Sequence, residues 1–338
     1  MLSLDRNSAA KLFHDFTGMK ALVIGDVMLD SYIWGHVERI SPEAPVPVVS
    51  VSKRENRLGG AANVVLNLQA LGAVPILCSV TGNDSRCDDF CKLLEQHDIS
   101  HAGILKNEQR STTTKFRIIG NNYQMLRVDE ETTQVLNQDE SRNFFNLIER
   151  IVLAENPQVI IFEDYDKGVI NHALIQWVVE LAEKKKIPLV VDPKKKNFLH
   201  YKRVSLFKPN FTELCEGLKI ENVQKTPESL LRICSAFQYQ HDIPNMMLTL
   251  SEKGMFISSA DKIGKYTGEM IPARVRNIAD VSGAGDTVIS IAALCTALKL
   301  PLYDTAFIAN IGGGLVCEHT GVVPVNKEKL KEEVLSLM

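Results

Sequence analysis

The sequence lacks the features that mark membrane, secreted and nucleic-acid-binding proteins. No stretch reaches the roughly 18 uncharged apolar residues that a membrane-spanning helix needs. Residues 1–16 contain acids and no apolar core of a secretory signal. A formal net charge of -3 is not the basic surplus of a general nucleic-acid binder. We therefore expect no membrane and no nucleic acid among the partners.

Paired cysteines are also missing, since the seven cysteines contain no CxxC. Cys87 and Cys91 share a helical face but have no His or Cys partner at metal-ligand spacing. We interpret the cysteines as reduced thiols that pack like small hydrophobic residues. Reduced thiols favour a cytoplasmic protein.

Short apolar runs rich in β-branched residues alternate with helical patterns along most of the 338 residues. Strands are predicted at 21–26, 75–82, 158–164, 187–194, 204–210 and 245–251. Helices are predicted at 63–72, at 84–99 with Asp84 as N-cap, and in HALIQWVVELAEKKK and ESLLRICSAFQYQ. This alternation predicts a parallel sheet covered by helices on both faces, with ligands at the carboxyl ends of its strands.

Two segments, 32–57 and 111–130, break the alternation. The first contains three prolines, and the second reads as a hairpin that turns at Gly120, Asn121 and Asn122. We expect them to form a small β-sheet lid beside the main sheet. Apolar residues in IWGHV, with Val48 and Val49, favour a homodimer in which the lids pack on each other. In the alternative, charged residues of the lid solvate that surface and the protein is a monomer.

The segment DVSGAGDT (280–287) precedes an apolar helical run. Gly283 and Gly285 flank Ala284, so that the backbone amides and the helix dipole can hold an anion. Asp286 could then accept the proton of a hydroxyl that attacks a phosphoryl group. In the alternative, Asp286 only caps the helix that starts at Thr287.

Two segments near the N-terminus offer candidate substrate-binding residues. RLGGAAN places Gly59 and Gly60 before Asn63 at a helix start, although a tight strand-to-helix turn explains the glycines equally well. GDVMLD places Asp26 and Asp30 after the first strand, where carboxylates grip sugar hydroxyls or cap a turn.

KPNFTEL (208–214) places Asn210 and Glu213 after a predicted strand. They could hold the waters around Mg²⁺, or Asn210 or Thr212 could cap a helix. Basic residues lie in the predicted lid and beyond it: Lys115, Arg117, Arg127, Lys167 and Lys194 to Lys196. They are either solvated charges or ligands of a phosphate on the substrate.

With GGAAN near one end and DVSGAGDT near the other, the chain resembles the ribokinase-like (pfkB) carbohydrate kinases over nearly its whole length. The resemblance implies a single α/β domain over residues 1–338, with a doubly wound, mostly parallel sheet, helices on both faces and a β-sheet lid. It implies ATP as a substrate, Asp286 as the base, and an anion hole formed by the amides of Gly283, Ala284 and Gly285. Asn210 and Glu213 match an N-x-x-E element that acts with Mg²⁺.

Further expectations follow from this resemblance. Ser251, Gly254 and Asn310 would lie at the nucleotide site. A monovalent cation such as K⁺ would bind near Asp280 and the HTGVVPV stretch. Pairing through the lids is common in the family, which points to a homodimer again.

ERISPEAPVPVV, DYDKG, VDPK and LTLSEKGM together resemble the heptose-7-phosphate kinases. These enzymes phosphorylate D-glycero-β-D-manno-heptose 7-phosphate at O1 on the way to ADP-heptose for lipopolysaccharide. The H-x-G-H motif of the nucleotidyltransferase to which such kinases are often fused is missing, so we expect the kinase alone. Asp166 and Lys208 depart from the pattern. A kinase of another sugar phosphate, such as a hexose phosphate, and a non-catalytic nucleotide-binding regulator are the alternatives. No G-x-G-x-x-G follows the first strand, which argues against a dinucleotide oxidoreductase.

Overall fold

A computed structural model describes residues 4–274 and 276–338. Its strands are β1 (Lys20–Gly25), β2 (Val27–Ile40), β3 (Pro47–Gly60), β4 (Val74–Gly82), β5 (Ile104–Asn107), β6 (Thr114–Gly120), β7 (Tyr123–Glu130), β8 (Val159–Glu163), β9 (Leu189–Asp192), β10 (Leu206–Phe207), β11 (Asn245–Thr249), β12 (Met255–Ala260) and β13 (Tyr266–Ile271). Its α-helices are α1 (Arg6–Asp15), α2 (Ala61–Ala70), α3 (Ser85–Gln96), α4 (Gln138–Glu155), α5 (His172–Lys185), α6 (Phe211–Leu218), α7 (Pro227–His241), α8 (Ala284–Ala297), α9 (Leu302–Val316) and α10 (Lys327–Ser336).

Nine of these strands form the main sheet, in the order β13-β12-β11-β10-β9-β8-β1-β4-β5. The pairs from β5 to β11 are parallel, and β12 and β13 add an antiparallel edge. After β1, the chain adds β4 and β5 on one side of β1. It later adds β8 on the other side of β1 and continues outward from there. A ligand crevice is expected where the strand order reverses in this way, at the carboxyl ends of β1 and β8.

Helices cover both faces of the main sheet, as the sequence predicted. Successive residues of β1 point to opposite faces, with Ala21 and Val23 in the core against α2 and α8 and Leu22 and Ile24 in the core against α4 and α5. Six of the seven cysteines are buried. None of the helices in the described ranges is long and apolar enough to cross a bilayer.

The small sheet consists of β3, β2, β6 and β7 in that order. Its hairpin turns at Asn121 and Asn122, whose φ angles of 52° and 67° fit a two-residue turn that needs two left-handed residues. The predicted hairpin is therefore confirmed. The sequence predicted the small sheet at 32–57 and 111–130. The observed strands β2 and β3 begin earlier and end later than the first of these segments, at Val27 and Gly60.

Two expectations about element boundaries differ from the structure. The predicted strand 204–210 contains only the two ladder residues of β10, because Asn210 already caps the next helix. The predicted helix 63–72 begins earlier, at Ala61, directly after the last glycine of β3. The Asp84 cap of α3 is confirmed, since its side chain accepts a hydrogen bond from the amide of Cys87.

Candidate active site

The carboxylate of Asp286 lies in the first turn of α8 and is almost fully buried, with 7% of the residue exposed. One oxygen accepts a hydrogen bond of 2.5 Å from the Asn63 amide, and the other accepts one of 3.0 Å from the Tyr165 hydroxyl. The helix itself begins after Gly283, which has a φ of 82° and no side chain to cap with. Since α8 begins before Thr287, Asp286 is not the helix cap of the alternative interpretation, and its carboxylate bonds to Asn63 and Tyr165 instead.

Burial raises the pKa of Asp286 to about 6. The hydrogen bonds from Asn63 and Tyr165 act in the opposite direction, and the negative charge of Asp192 reinforces burial. A carboxyl with this pKa is mostly ionised at neutral pH but holds a proton more readily than an exposed aspartate. Both properties suit a general base.

Glu163 and Asp192 join Asp286 in a buried cluster whose carboxylate oxygens lie within 4.8 Å of one another. Among the described residues, Oε2 of Glu163 and Oδ1 of Asp192 are buried without a hydrogen-bond partner. Hard carboxylate oxygens with unused acceptor capacity fit Mg²⁺. The sequence interpretation did not assign these two residues, although each lies near the carboxyl end of a predicted strand and is the last residue of the observed one, β8 or β9.

Lys208 is ion-paired with this cluster. It is 2% exposed, and its ammonium lies 2.8 Å from Asp192. Burial acts to lower the pKa of Lys208, but the negative charges of Asp192, Glu213 and Glu163 together have the larger effect, so that its pKa is raised. A side chain at Gly285 would come within 3.8 Å of Lys208 Nζ, which places this cation beside the glycine loop.

Asn210 and Glu213 form a reciprocal capping box at the start of α6. The Asn210 side chain accepts from the Glu213 amide, and Glu213 accepts from the Asn210 amide, each at 2.8 Å. The other oxygen of Glu213 is ion-paired with Lys194. The helix-cap interpretation of Asn210 is thus confirmed, while a role of the pair with Mg²⁺ stays a prediction.

The loop before α8 was predicted to hold an anion, and this role stays a prediction. Gly283 supplies a left-handed residue, and the N-terminus of α8 follows at once. Of the three backbone amides predicted to bind the anion, that of Ala284 already donates a hydrogen bond of 3.3 Å to the carbonyl of Val281.

Asp280 ties this loop to the C-terminal segment. Its carboxylate accepts hydrogen bonds from Ser282 and from the amide of Gly321 at 3.0 Å. The hydrogen bonds from Ser282 lower the pKa of Asp280. The structure therefore brings together the two segments for which a monovalent cation was predicted.

Asp26 has a different environment from the one expected for a sugar ligand. It is 1% exposed, and its oxygens accept hydrogen bonds from the amides of Tyr165, Lys167 and Val169. The structure supports the alternative in which Asp26 holds a turn. Gly60 is required beside it, because its φ is 61° and a Cβ there would collide with the carbonyl oxygen of Asp26.

Apart from Asn63, which lies on α2, the other predicted substrate residues lie on one face of the small sheet. Arg117 pairs with Asp30 at 2.5 Å, above Gly59, where a Cβ would crowd the Asp30 carboxylate. Lys115 pairs with Asp129 and Glu131, and Arg127 pairs with Asp129 at 2.7 Å. All three predicted basic residues therefore have acidic partners in the protein itself.

The residues predicted for the nucleotide lie near β11 and β13 of the main sheet, several strands away from β1. Ser251 and Gly254 follow β11, whose last residue bridges to Asn210. Asn310 on α9 donates a hydrogen bond of 2.9 Å to Pro272, in the segment that crowds Gly254. Nucleotide binding by these residues stays a prediction.

Comparison with known families and sequences gives consistent matches. The model of the "pfkB family carbohydrate kinase" matches residues 19–329. "Bifunctional protein HldE" of Syntrophotalea carbinolica is 35% identical over 97% of this chain, and that of Methylobacillus flagellatus is 36% identical over 93%. The chain spans 66% and 63% of the length of these two relatives.

Solved structures share the fold at low identity. Escherichia coli phosphofructokinase-2 in complex with potassium has a TM-score of 0.74 and 15% identity, covering 95% of this chain and 99% of that chain. Arabidopsis thaliana ribokinase with ribose and ATP has a TM-score of 0.70 and 14% identity, covering 94% and 99%. The ribokinase-like fold predicted from the sequence is confirmed.

Proposed function

Because this chain belongs to the pfkB family of carbohydrate kinases, we propose that it transfers the γ-phosphoryl group of ATP to O1 of D-glycero-β-D-manno-heptose 7-phosphate. The product would be the 1,7-bisphosphate, on the way to ADP-heptose and lipopolysaccharide. The observation that carries the proposed chemistry is the buried, hydrogen-bonded carboxylate of Asp286 at the N-terminus of α8. The choice of heptose is supported by the sequence motifs and by the HldE relatives.

In the proposed mechanism, Asp286 accepts the proton of the anomeric hydroxyl as its oxygen attacks the γ-phosphorus. The amides at the start of α8 stabilise negative charge on the transferring group. Lys208 and Lys194 lie beside the same carboxylate cluster and add positive charge there. These parts suit phosphoryl transfer, in which positioning and electrostatics do most of the work.

Mg²⁺ would be held by Glu163 and Asp192, with Asn210 and Glu213 reached through water, and it would neutralise charge on the phosphates. A monovalent cation such as K⁺ would bind near Asp280 and Gly321, where two loops already meet.

We place the 7-phosphate of the sugar against the polar face of the small sheet, near Lys115, Arg117 and Arg127. Their acidic partners would hold the cations in place until the phosphate arrives. A substrate phosphate then has to compete with Asp30 and Asp129, which favours a dianionic group over a neutral hydroxyl.

We also propose a homodimer that pairs through the opposite, apolar face of the small sheet. The ladder register places the following side chains on that face: Ile33, Phe116, Ile118, Leu126 and Val128. Leu126 and Val128 are 53% and 46% exposed in the single chain. An exposed apolar face on a four-stranded sheet is a typical interaction surface.

The test is turnover of ATP and Mg²⁺ with a panel of sugar phosphates and free sugars. We expect the heptose 7-phosphate to react fastest, with the new phosphate on O1. Asp286→Asn should lower kcat at least about 100-fold while ATP binding measured by calorimetry is retained. Asp139→Asn, a charge change on the exposed start of α4, is the matched control.

Two results would contradict this proposal separately. Faster turnover of a hexose phosphate would reject the substrate, and near-normal turnover by Asp286→Asn would reject the base.

A further inference from the structure

The hydroxyl of Tyr165 is the second donor to the Asp286 carboxylate, at 3.0 Å from Oδ1. Asn63 holds Oδ2 at 2.5 Å. A carboxylate has about four acceptor positions, so these two bonds fix its plane and still leave acceptor positions free. Tyr165 itself belongs to the DYDKG segment and was assigned no role from the sequence.

The backbone of Tyr165 is held more firmly than that of an ordinary loop residue. Asp26 accepts hydrogen bonds from its amide and from the amides of Lys167 and Val169, at 2.9 to 3.1 Å. Arg110 donates to the carbonyl of Lys167 at 2.6 Å. Asp26, which is buried and follows β1, therefore fixes the backbone position from which the Tyr165 side chain extends.

The Tyr165 ring is constrained as well. The ammonium of Lys194 lies 5.4 Å from its centre, within the range of a cation–π contact. An ordinary tyrosine phenol, with a pKa of about 10, is protonated near neutral pH. The Tyr165 hydroxyl can therefore donate its proton toward Asp286.

A second tyrosine provides a comparison within the same molecule. Tyr201 is fully buried and donates to Asp164 at 2.8 Å. Asp164 in turn caps the same turn through the amide of Asp166. The two tyrosines thus make the same kind of bond, but only that of Tyr165 ends on the Asp286 carboxylate.

From this arrangement we propose that Tyr165 is a positioning residue, whose phenol holds the Asp286 carboxylate so that a free lone pair faces the acceptor hydroxyl. This inference rests on the function proposed above. In the reaction the acceptor oxygen bonds to the γ-phosphorus, the bond from that phosphorus to ADP breaks, and the acceptor proton moves to Asp286. Tyr165 keeps its own proton throughout.

The experiment is a double-mutant cycle between Tyr165→Phe and Asp286→Glu. Tyr165→Phe removes only the hydroxyl, and we expect kcat to fall about tenfold with the KM for ATP unchanged within about twofold, since it disturbs orientation and not nucleotide binding. Asp286→Glu lengthens the side chain by one methylene group, which should disturb the 3.0 Å bond from the phenol. In that background Tyr165→Phe should cause no further loss.

Tyr201→Phe is the matched control. If it lowers kcat at all, through loosening of the turn, it should do so by the same factor in both backgrounds. Thermal unfolding of each variant shows that the folded protein is being compared. An equal loss for Tyr165→Phe in both backgrounds, or an unchanged kcat, would overturn the positioning role.

The acceptor in this cycle is whichever sugar phosphate the wild-type protein turns over, or water in slow ATP hydrolysis if none reacts. A failure of the heptose proposal appears in the wild-type protein alone. A failure of the Tyr165 proposal appears in the ratio of variant to wild-type rates, whatever the acceptor.

Discussion

At the scale of single residues, the acidity of Asp286 leads to a pH prediction. The proposed base works only when it is deprotonated, and burial raises the pKa of Asp286 to about 6. The fraction of protein with a deprotonated Asp286 therefore falls about tenfold for each pH unit below that value. At pH 8 nearly all of the protein carries the deprotonated form. We expect kcat to show an acid limb near pH 6.

The measurement is kcat from pH 5 to 9 at saturating substrates. Phosphate groups also titrate near pH 6, so the KM values for both substrates should be followed over the same range as the control. A kcat that is constant down to pH 5 would show that no group with this pKa serves as the base.

Lys208 gives a stability prediction at the same scale. Lys208→Met leaves Asp192 buried and unpaired beside Glu163, and removing one partner of a buried pair costs about 3–5 kcal/mol. Urea unfolding at pH 7.5 measures this loss. Lys20→Met breaks a pair of similar length, 2.9 Å, whose side chains are about 40% exposed, and should cost less than about 1 kcal/mol. Equal losses for the two variants would contradict the buried-pair argument.

At the scale of elements, the turn 164–169 depends on Asp26. Asp26→Asn replaces one acceptor oxygen with a donor that faces backbone amides, so at least one hydrogen bond is lost. We expect faster hydrogen exchange at Tyr165, Lys167 and Val169, together with a lower kcat.

Asp261→Asn is the control for this exchange experiment. Asp261 accepts hydrogen bonds from the amides of Ile263 and Lys265, in the connection between β12 and β13. Its replacement should leave exchange in 164–169 unchanged. Unchanged exchange there in Asp26→Asn as well would mean that other contacts hold the turn.

At the scale of the whole molecule, the proposed pairing through the small sheet leads to a prediction about the state of assembly. Light scattering at micromolar concentration should report about twice the 37.7 kDa chain mass. Leu126→Asp places a charge on the apolar face and should shift the mass toward the monomer. Ile263 is 87% exposed and lies between β12 and β13, at the edge of the main sheet. Ile263→Asp is therefore the control substitution. A wild-type protein that stays monomeric would end the case for pairing.

The ladder also separates two residues that the sequence treated together as apolar. Neighbouring residues of a strand point to opposite faces. Ile33 pairs in register with Ile118 on the apolar face. Trp34 stacks on Tyr32, and both point to the polar face, as does Asp30. Only Ile33 is therefore expected to influence dimerisation.

By itself, the sequence determined the alternation of strands and helices, the hairpin at Asn121, the Asp84 cap and the glycine loop before α8. These features depend on local preferences for turns, caps and periodic burial, which act over a few residues. The same preferences favoured a cap at Asn210, one of the two interpretations that the sequence left open.

Only the tertiary structure decided which polar side chains meet. Asn63, Tyr165 and Asp286 come from three distant segments, which meet because the start of α2, the end of β8 and the start of α8 lie at one edge of the main sheet. At the same edge Asp26 holds a turn by hydrogen bonds, and Glu163 and Asp192 lie beside Asp286. Such contacts follow from the packing of whole elements, which local sequence preferences do not specify.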